Sequence, residues 1–152
     1  MSFQRALEAS PVLRGVFAAG LGALGSNRSR IYANDPRVIL GSMNVEAAQR
    51  EIDAQGHTWD YGIGVSVDRH DAVVWVEVHS ADASHIQMIL DKLDSLLHFL
   101  AAYAPEFRCL KTRYVWLATR GVGIGADSRE RRRLNARGIV LRSKRLELES
   151  VL

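Results

Sequence analysis

Residues 59 to 79 read WDYGIGVSVDRHDAVVWVEVH. From Trp59 to Val67 the chain alternates: Trp59, Tyr61, Ile63, Val65 and Val67 fall on one face, and Asp60, Gly62, Gly64 and Ser66 on the other. That is the period of a strand. Asp68, Arg69, His70 and Asp71 are polar turn formers, and the β-branched, aromatic run Ala72 to His79 makes a second strand. The stretch therefore predicts a β-hairpin. Val73, Val74, Trp75, Val76 and Val78 are apolar on both faces, the pattern of a central strand. Glu77 interrupts that run, and burying its charge is costly without a partner or a purpose.

Working outward, Asn44 to Gln55 predicts a short amphipathic helix with Val45, Ala48 and Ile52 on one face, Ser42 or Asn44 as cap and Gly56 as its end. After the hairpin, Ser84 and Gln87 fit a capping box, and Ile86, Ile89, Leu90, Leu93, Leu97 and Leu100 stripe a long helix ending before Pro105. Tyr114 to Thr119 predicts another strand. Asp127 with Glu130 caps an Arg-loaded helix that stops at Gly138, and Ile139 to Leu148 supplies an edge strand. At the other end, residues 3 to 24 read as helical with a break at Pro11, and Ser26 to Gly41 as a connecting loop. The fold class expected is α/β (α+β): a central mixed sheet containing the hairpin, flanked by helices. One domain is expected, with residues 1–41 as a helical and loop extension, 42–120 as the core, and 121–152 as a basic helix and edge strand.

The composition suits a folded globular protein, with 47% hydrophobic and 24% charged residues and no segment polar enough to suggest disorder. Cys109 is the one cysteine, so an intrachain disulfide and a Cys-based zinc site are excluded and a reducing, cytoplasmic setting is expected. A half-buried structural thiol is the reading for Cys109. The apolar run Gly15 to Leu24 is too short to span a membrane, and Glu8 and Arg14 close before it argue against a secretory signal. No membrane association is expected. Residues 111–145 carry eleven Lys and Arg against Asp127 and Glu130, a local charge of +9 in a chain of net +3, which leaves −6 for the rest. Within that basic quarter Arg129, Arg131, Arg132, Arg133 and Arg137 are the candidate nucleic-acid contacts, facing DNA or RNA phosphates, with an ordinary solvated helix face as the competing reading. A homo-oligomer is compatible with this sequence but not inferable from it.

Pairing Val67 with Ala72 across the turn places Asp60 opposite His79 on one face, with Glu77 diagonal to Asp60 and Gly62 leaving room beside them. Two carboxylates so close resist ionising together in a partly buried place unless a cation sits between them or one keeps its proton. Oxygen ligands of this kind suit Mg²⁺ or Mn²⁺. The competing structural reading pairs Glu77 with an arginine such as Arg113 and leaves Asp60 capping a turn. Gly121 to Gly125 lacks the spacing of a dinucleotide fingerprint and the Lys-Ser/Thr of a P-loop, so it reads as a turn. His57, His70, His85 and His98 share no metal-ligand spacing with a carboxylate.

The order helix, Asp-bearing strand, hairpin, Glu-x-His strand, long helix, strand over residues 42 to 120 resembles the PD-(D/E)xK nuclease superfamily, with its restriction-endonuclease-like core. The resemblance implies a metal-dependent nuclease in which Asp60 and Glu77 of Glu77-Val78-His79 bind the divalent ion and Glu46 or Glu51, on the preceding helix, joins them. His79 stands where that family usually has lysine. Near its reference pKa of about 6.5 a histidine is mostly neutral at pH 7. His79 is then a base, a metal ligand, or the residue that leaves the site inactive. The alternative is a non-catalytic nucleic-acid-binding or protein-interaction module on the same fold.

Overall fold

The computed structural model describes residues 1–152. It is an α+β fold built on a mixed six-stranded sheet. Helices α1 (Phe3–Glu8) and α2 (Pro11–Arg14) lead into the short edge strand β1 (Phe17–Ala18). A 3-10 stretch over Gly22–Arg30 follows, then the two-residue β2 (Ile31–Tyr32), β3 (Ile39–Asn44) and α3 (Val45–Ile52). Next come β4 (Tyr61–Val67), β5 (His70–His79), α4 (Ile86–Tyr103), β6 (Lys111–Ala118), α5 (Arg129–Ala136), β7 (Ile139–Ser143) and β8 (Leu146–Glu147). The sheet order is β1-β3-β4-β5-β6-β7, and β2 with β8 forms a separate parallel pair.

Strands β1 to β5 of the sheet pair antiparallel, whereas β5, β6 and β7 run parallel. Parallel neighbours need a long crossover. Helices α4 and α5 supply it, so the chain returns each time to begin its next strand at the same edge. The start of β4 and the ends of β5, β6 and β7 consequently share the opposite edge. β5 is the central strand that its two-faced apolar pattern predicts. Val73 and Trp75 face the core beneath α1, α3 and α4, and Ala72, Val74 and Val76 face a second core closed by Leu24, Ile31, Leu146, Leu148 and Val151. Helix α4 contributes Ile86, Ile89, Leu90, Leu93, Leu96, Phe99 and Leu100 to the first core. Each such side chain contributes roughly 1.5–3 kcal/mol as an upper estimate.

Several expectations are corrected. The hairpin turn is two residues, not four: Asp68 (φ 52°) and Arg69 (φ 66°) are both left-handed, as in a type I′ turn, and His70 and Asp71 belong to β5. Val67 pairs with His70 and Tyr61 with Val76, so the register moves by two and Asp60 comes opposite Glu77 rather than His79. Gly62 lies opposite Trp75, where a Cβ would fall 2.6 Å from the indole ring; the space there belongs to the core and not to Glu77. The helical reading of residues 3–24 fails after Arg14, because Phe17 and Ala18 pair with Met43 and Ser42, and Gly20 and Gly25 (φ +55° each) turn the chain. The expected loop over Ser26 to Gly41 holds β2 and the start of β3. On α4, Leu96 and Phe99 are buried and Leu97 is exposed, and the helix is preceded by an Asp82 cap on Ser84 N–H in place of the Ser84/Gln87 box. Ser128, not Asp127, caps α5 through Arg131 N–H, and Cys109 is exposed.

The flanking segments are integral to the fold. Phe3, Leu7 and Leu13 enter the main core and β7 is a sheet strand. No helix is long and apolar enough to cross a membrane.

A left-handed conformation costs a non-glycine residue about 1–2 kcal/mol. Arg69→Gly should therefore raise unfolding free energy by about 1 kcal/mol in urea titrations with an unchanged m-value, and an unchanged or lower midpoint refutes this account of the turn.

Candidate functional site

Asp60 is placed from three directions. Trp59, just before it, is wholly buried in the main core, and its backbone N–H donates to the buried Gln49 Oε1 at 2.8 Å. The Asp60 carbonyl accepts from Glu46 N–H, at 3.2 Å, in the first turn of α3, whose N-cap Asn44 accepts from Ala47 N–H. Trp59 thus leaves the alternation expected of it, since it precedes the strand and packs on the opposite core face from Tyr61 and Ile63.

Backbone pairing of β4 with β5 stops at Tyr61 and Val76, and two carboxylates carry it one step further. Asp60 N–H donates to Glu77 Oε1 at 3.1 Å, and Val78 N–H donates to Asp60 Oδ2 at 2.9 Å. Each acid satisfies a backbone amide on the other's strand. Lys92, on α4, closes the cluster with Nζ 2.5 Å from Glu77 Oε2. The Glu77 side chain is 1% exposed and that of Lys92 18%. Glu46, whose N–H bonds the Asp60 carbonyl, adds its charge beside Asp60, and Arg50 pairs with Glu46 at 3.2 Å. Three acids therefore meet two bases in a half-buried row.

That imbalance appears in the acids' proton affinity. Burial, then the Asp60 charge, push the Glu77 carboxyl up to about 8 against the pull of Lys92. Burial also raises Asp60, with Glu46 adding to it and the Val78 amide and Lys92 opposing.

The structure joins Asp60, Glu77 and Glu46 and leaves His79 outside. At the last position of β5, His79 bonds through Nδ1 to the Ser80 carbonyl at 2.8 Å, and its ring packs edge-on to His85 with centroids 4.6 Å apart. At this last paired position, opposite Ala118, the imidazole turns to the backbone. Glu51 is exposed and makes no hydrogen bond to the cluster. No three Asp, Glu, His or Cys groups stand ready around a common point to hold a metal ion. Lys92 escaped the sequence reading, although its place three residues after Ile89 and four before Leu96 marks it as bordering the buried stripe of α4.

Arg113, the expected structural partner of Glu77, instead donates to the Val151 carbonyl at 2.8 Å. The arginines of α5 are largely engaged. Arg137 pairs with Asp94 and Arg133 donates to Gln87, both on α4, while Arg131 and Arg132 donate to the carbonyls of Ile124 and Asp127. Arg129 is exposed.

Between pH 4.5 and about 8 the folded protein holds a proton on Glu77 that the unfolded chain has released. This contribution to stability is complete below pH 4.5 and is lost as pH rises toward 8. Urea midpoints should accordingly fall from pH 5 to pH 8 in the native protein, with most of that slope absent in Glu77→Gln; equal slopes would contradict the burial account. Compared with known proteins, the chain matches no family model, no curated protein and no solved structure, so the chemistry of the cluster is read from its own geometry.

Proposed function

We propose that this chain is a metal-dependent nuclease-like domain acting on nucleic-acid phosphodiesters, on a restriction-endonuclease-like core of the PD-(D/E)xK kind. The observation that carries the reading is the meeting of Asp60, Glu77 and Lys92 at the open end of the hairpin. Acid, acid and lysine are the residue types that the resemblance calls for, with the lysine arriving from α4 in place of His79.

The donor set fits a hard divalent cation. It is all oxygen, and burial first, then a neighbouring carboxylate, holds Asp60 and Glu77 toward their protonated forms, a balance that a bound cation would reverse. Mg²⁺ is commonly held by one or two carboxylates, completed by waters and substrate phosphate, so a preassembled trio of protein ligands is not required. Asp60 and Glu77 would hold the ion, with Glu46 beside Asp60. Bound there, Mg²⁺ or Mn²⁺ would polarise a phosphoryl oxygen and lower the pKa of attacking water. Lys92 would donate hydrogen bonds to the phosphate as charge builds on its oxygens. Glu77 anchors the Lys92 ammonium, and the Val78 and Asp60 amides orient the two carboxylates. His79 has no part in this scheme.

A second reading has its own support: with one oxygen on Asp60 N–H and the other on Lys92, Glu77 is already satisfied as a structural polar knot. Calorimetry with Mn²⁺ separates the two. The nuclease reading expects binding that tightens as pH rises toward 8, since the ion displaces the Glu77 proton, and that is lost in Asp60→Asn and Glu77→Gln. Lys92→Met should retain Mn²⁺ and lose cleavage of a labelled oligonucleotide by about 100-fold or more, while His79→Ala cleaves as the native protein does. Absence of Mn²⁺ binding at pH 8 leaves the structural knot.

A further inference from the structure

The edge that carries the acid cluster continues into a row of cations. Beyond the end of β6, Arg120 is exposed, and its carbonyl accepts from Ser143 Oγ at 3.1 Å. Lys144, just past β7, is tied back to β6 by its N–H on the Ala118 carbonyl at 2.8 Å and is also exposed. Arg145 follows, with its guanidinium 4.5 Å above the centroid of Tyr32. Arg30, two residues before Tyr32, reaches the Thr119 carbonyl at 3.5 Å. None of these four cations forms an ion pair within the chain. Three of them, Arg120, Lys144 and Arg145, belong to the basic C-terminal quarter and lie outside α5. Glu147, in register with Tyr32 on β8, is the acid that stands among them.

The row shares the sheet edge of the acid cluster. On the face of the sheet opposite Asp60 and Glu77, Arg30 Nε donates to Asn27 Oδ1 at 3.2 Å and Asn27 Nδ2 donates to Tyr61 Oη at 3.0 Å. Across the sheet, Glu77 neighbours Trp116 and Trp116 neighbours Leu141. Arg120 lies four residues beyond Trp116, so at strand spacing the row begins about 10–15 Å from Glu77. Stacked nucleotides advance about 3.4 Å each, which makes that gap about three to four nucleotides. Tyr32 is 37% exposed, and together with the Arg145 guanidinium it presents a planar stacking surface amid unpaired positive charge.

We infer that Arg30, Arg120, Lys144 and Arg145, with Tyr32, form a binding track for single-stranded nucleic acid at the sheet edge that also carries the Asp60/Glu77 cluster. Charge complementarity to phosphate supplies the affinity, and base stacking on the Tyr32–Arg145 pair favours a single strand, whose bases are free to stack, over a duplex. This deepens the nuclease reading and rests on it for what the track serves, while the track's own binding requires no metal.

Fluorescence anisotropy in EDTA, with a labelled single strand of about 20 nucleotides and the matching duplex, tests the track apart from the chemistry. Expected are tighter binding of the single strand than of the duplex and a salt dependence of about 0.7 log units per phosphate contact. The double variant Arg120→Glu/Arg145→Glu should bind at least about tenfold more weakly, its glutamine counterpart less so, and Tyr32→Ala about fivefold more weakly. Arg133→Ala/Arg137→Ala, in the last turn and C-cap of α5, should bind as the native protein does. Failure to bind at 50 mM salt, preference for the duplex, a change under twofold in both double variants of Arg120 and Arg145, or equal loss in the α5 variant overturns the proposal. Loss of Mn²⁺ binding with single-strand binding intact counts against the nuclease reading alone.

Discussion

Asp60 and Glu77 each bond a backbone amide of the opposite strand, and that reciprocal clasp organises everything around it. An open end of a hairpin ordinarily leaves amides to water. Here the last two are taken by carboxylates, which brings two acids together at a depth where water is scarce. Hydrogen bonds to charged groups stabilise by about 1.5–3 kcal/mol, yet each acid also meets the other's charge and the cost of burial. The clasp is thereby both a structural splice and a store of proton affinity. Lys92 completes it from α4, at the border of the stripe that packs that helix on the sheet.

Sheet topology explains why such chemistry gathers at one edge. Three parallel strands end together beside the start of β4, so β5 brings Glu77, β6 leads to Arg120 and β7 to Lys144 and Arg145. In open α/β sheets ligands bind beyond the carboxyl ends of the strands for the same geometric reason. The acid cluster and the cations occupy neighbouring parts of that edge without pairing.

Much of this was legible from residues alone. Two-residue periodicity placed Asp60 and Glu77 on a common side, and the mistaken turn length did no harm because a register slip of two residues preserves the face of every side chain. Had the slip been one residue, the cluster would have been lost. The β5 run announced a central strand, and Glu77 stood out there because a charge inside such a run demands a partner. The identity of that partner was hidden. Lys92 lies fifteen positions away on a helix whose rotation about its axis is settled by packing. His79 seemed apt by spacing along the strand, but the chain leaves the sheet there and Ser80 captures its ring.

The amino-acid sequence by itself determined the secondary elements around the hairpin, the central position of β5, the α+β class and the two acids, because these follow from local periodicity and from the cost of burying charge. Tertiary structure alone decided that Lys92 and not Arg113 or His79 meets Glu77, that Arg133 and Arg137 reach across to α4, and that Arg30 reaches the Thr119 carbonyl across 89 positions of chain. Those contacts depend on how helices dock and where parallel strands end together, and no local pattern encodes the distance between residues so far apart along the chain.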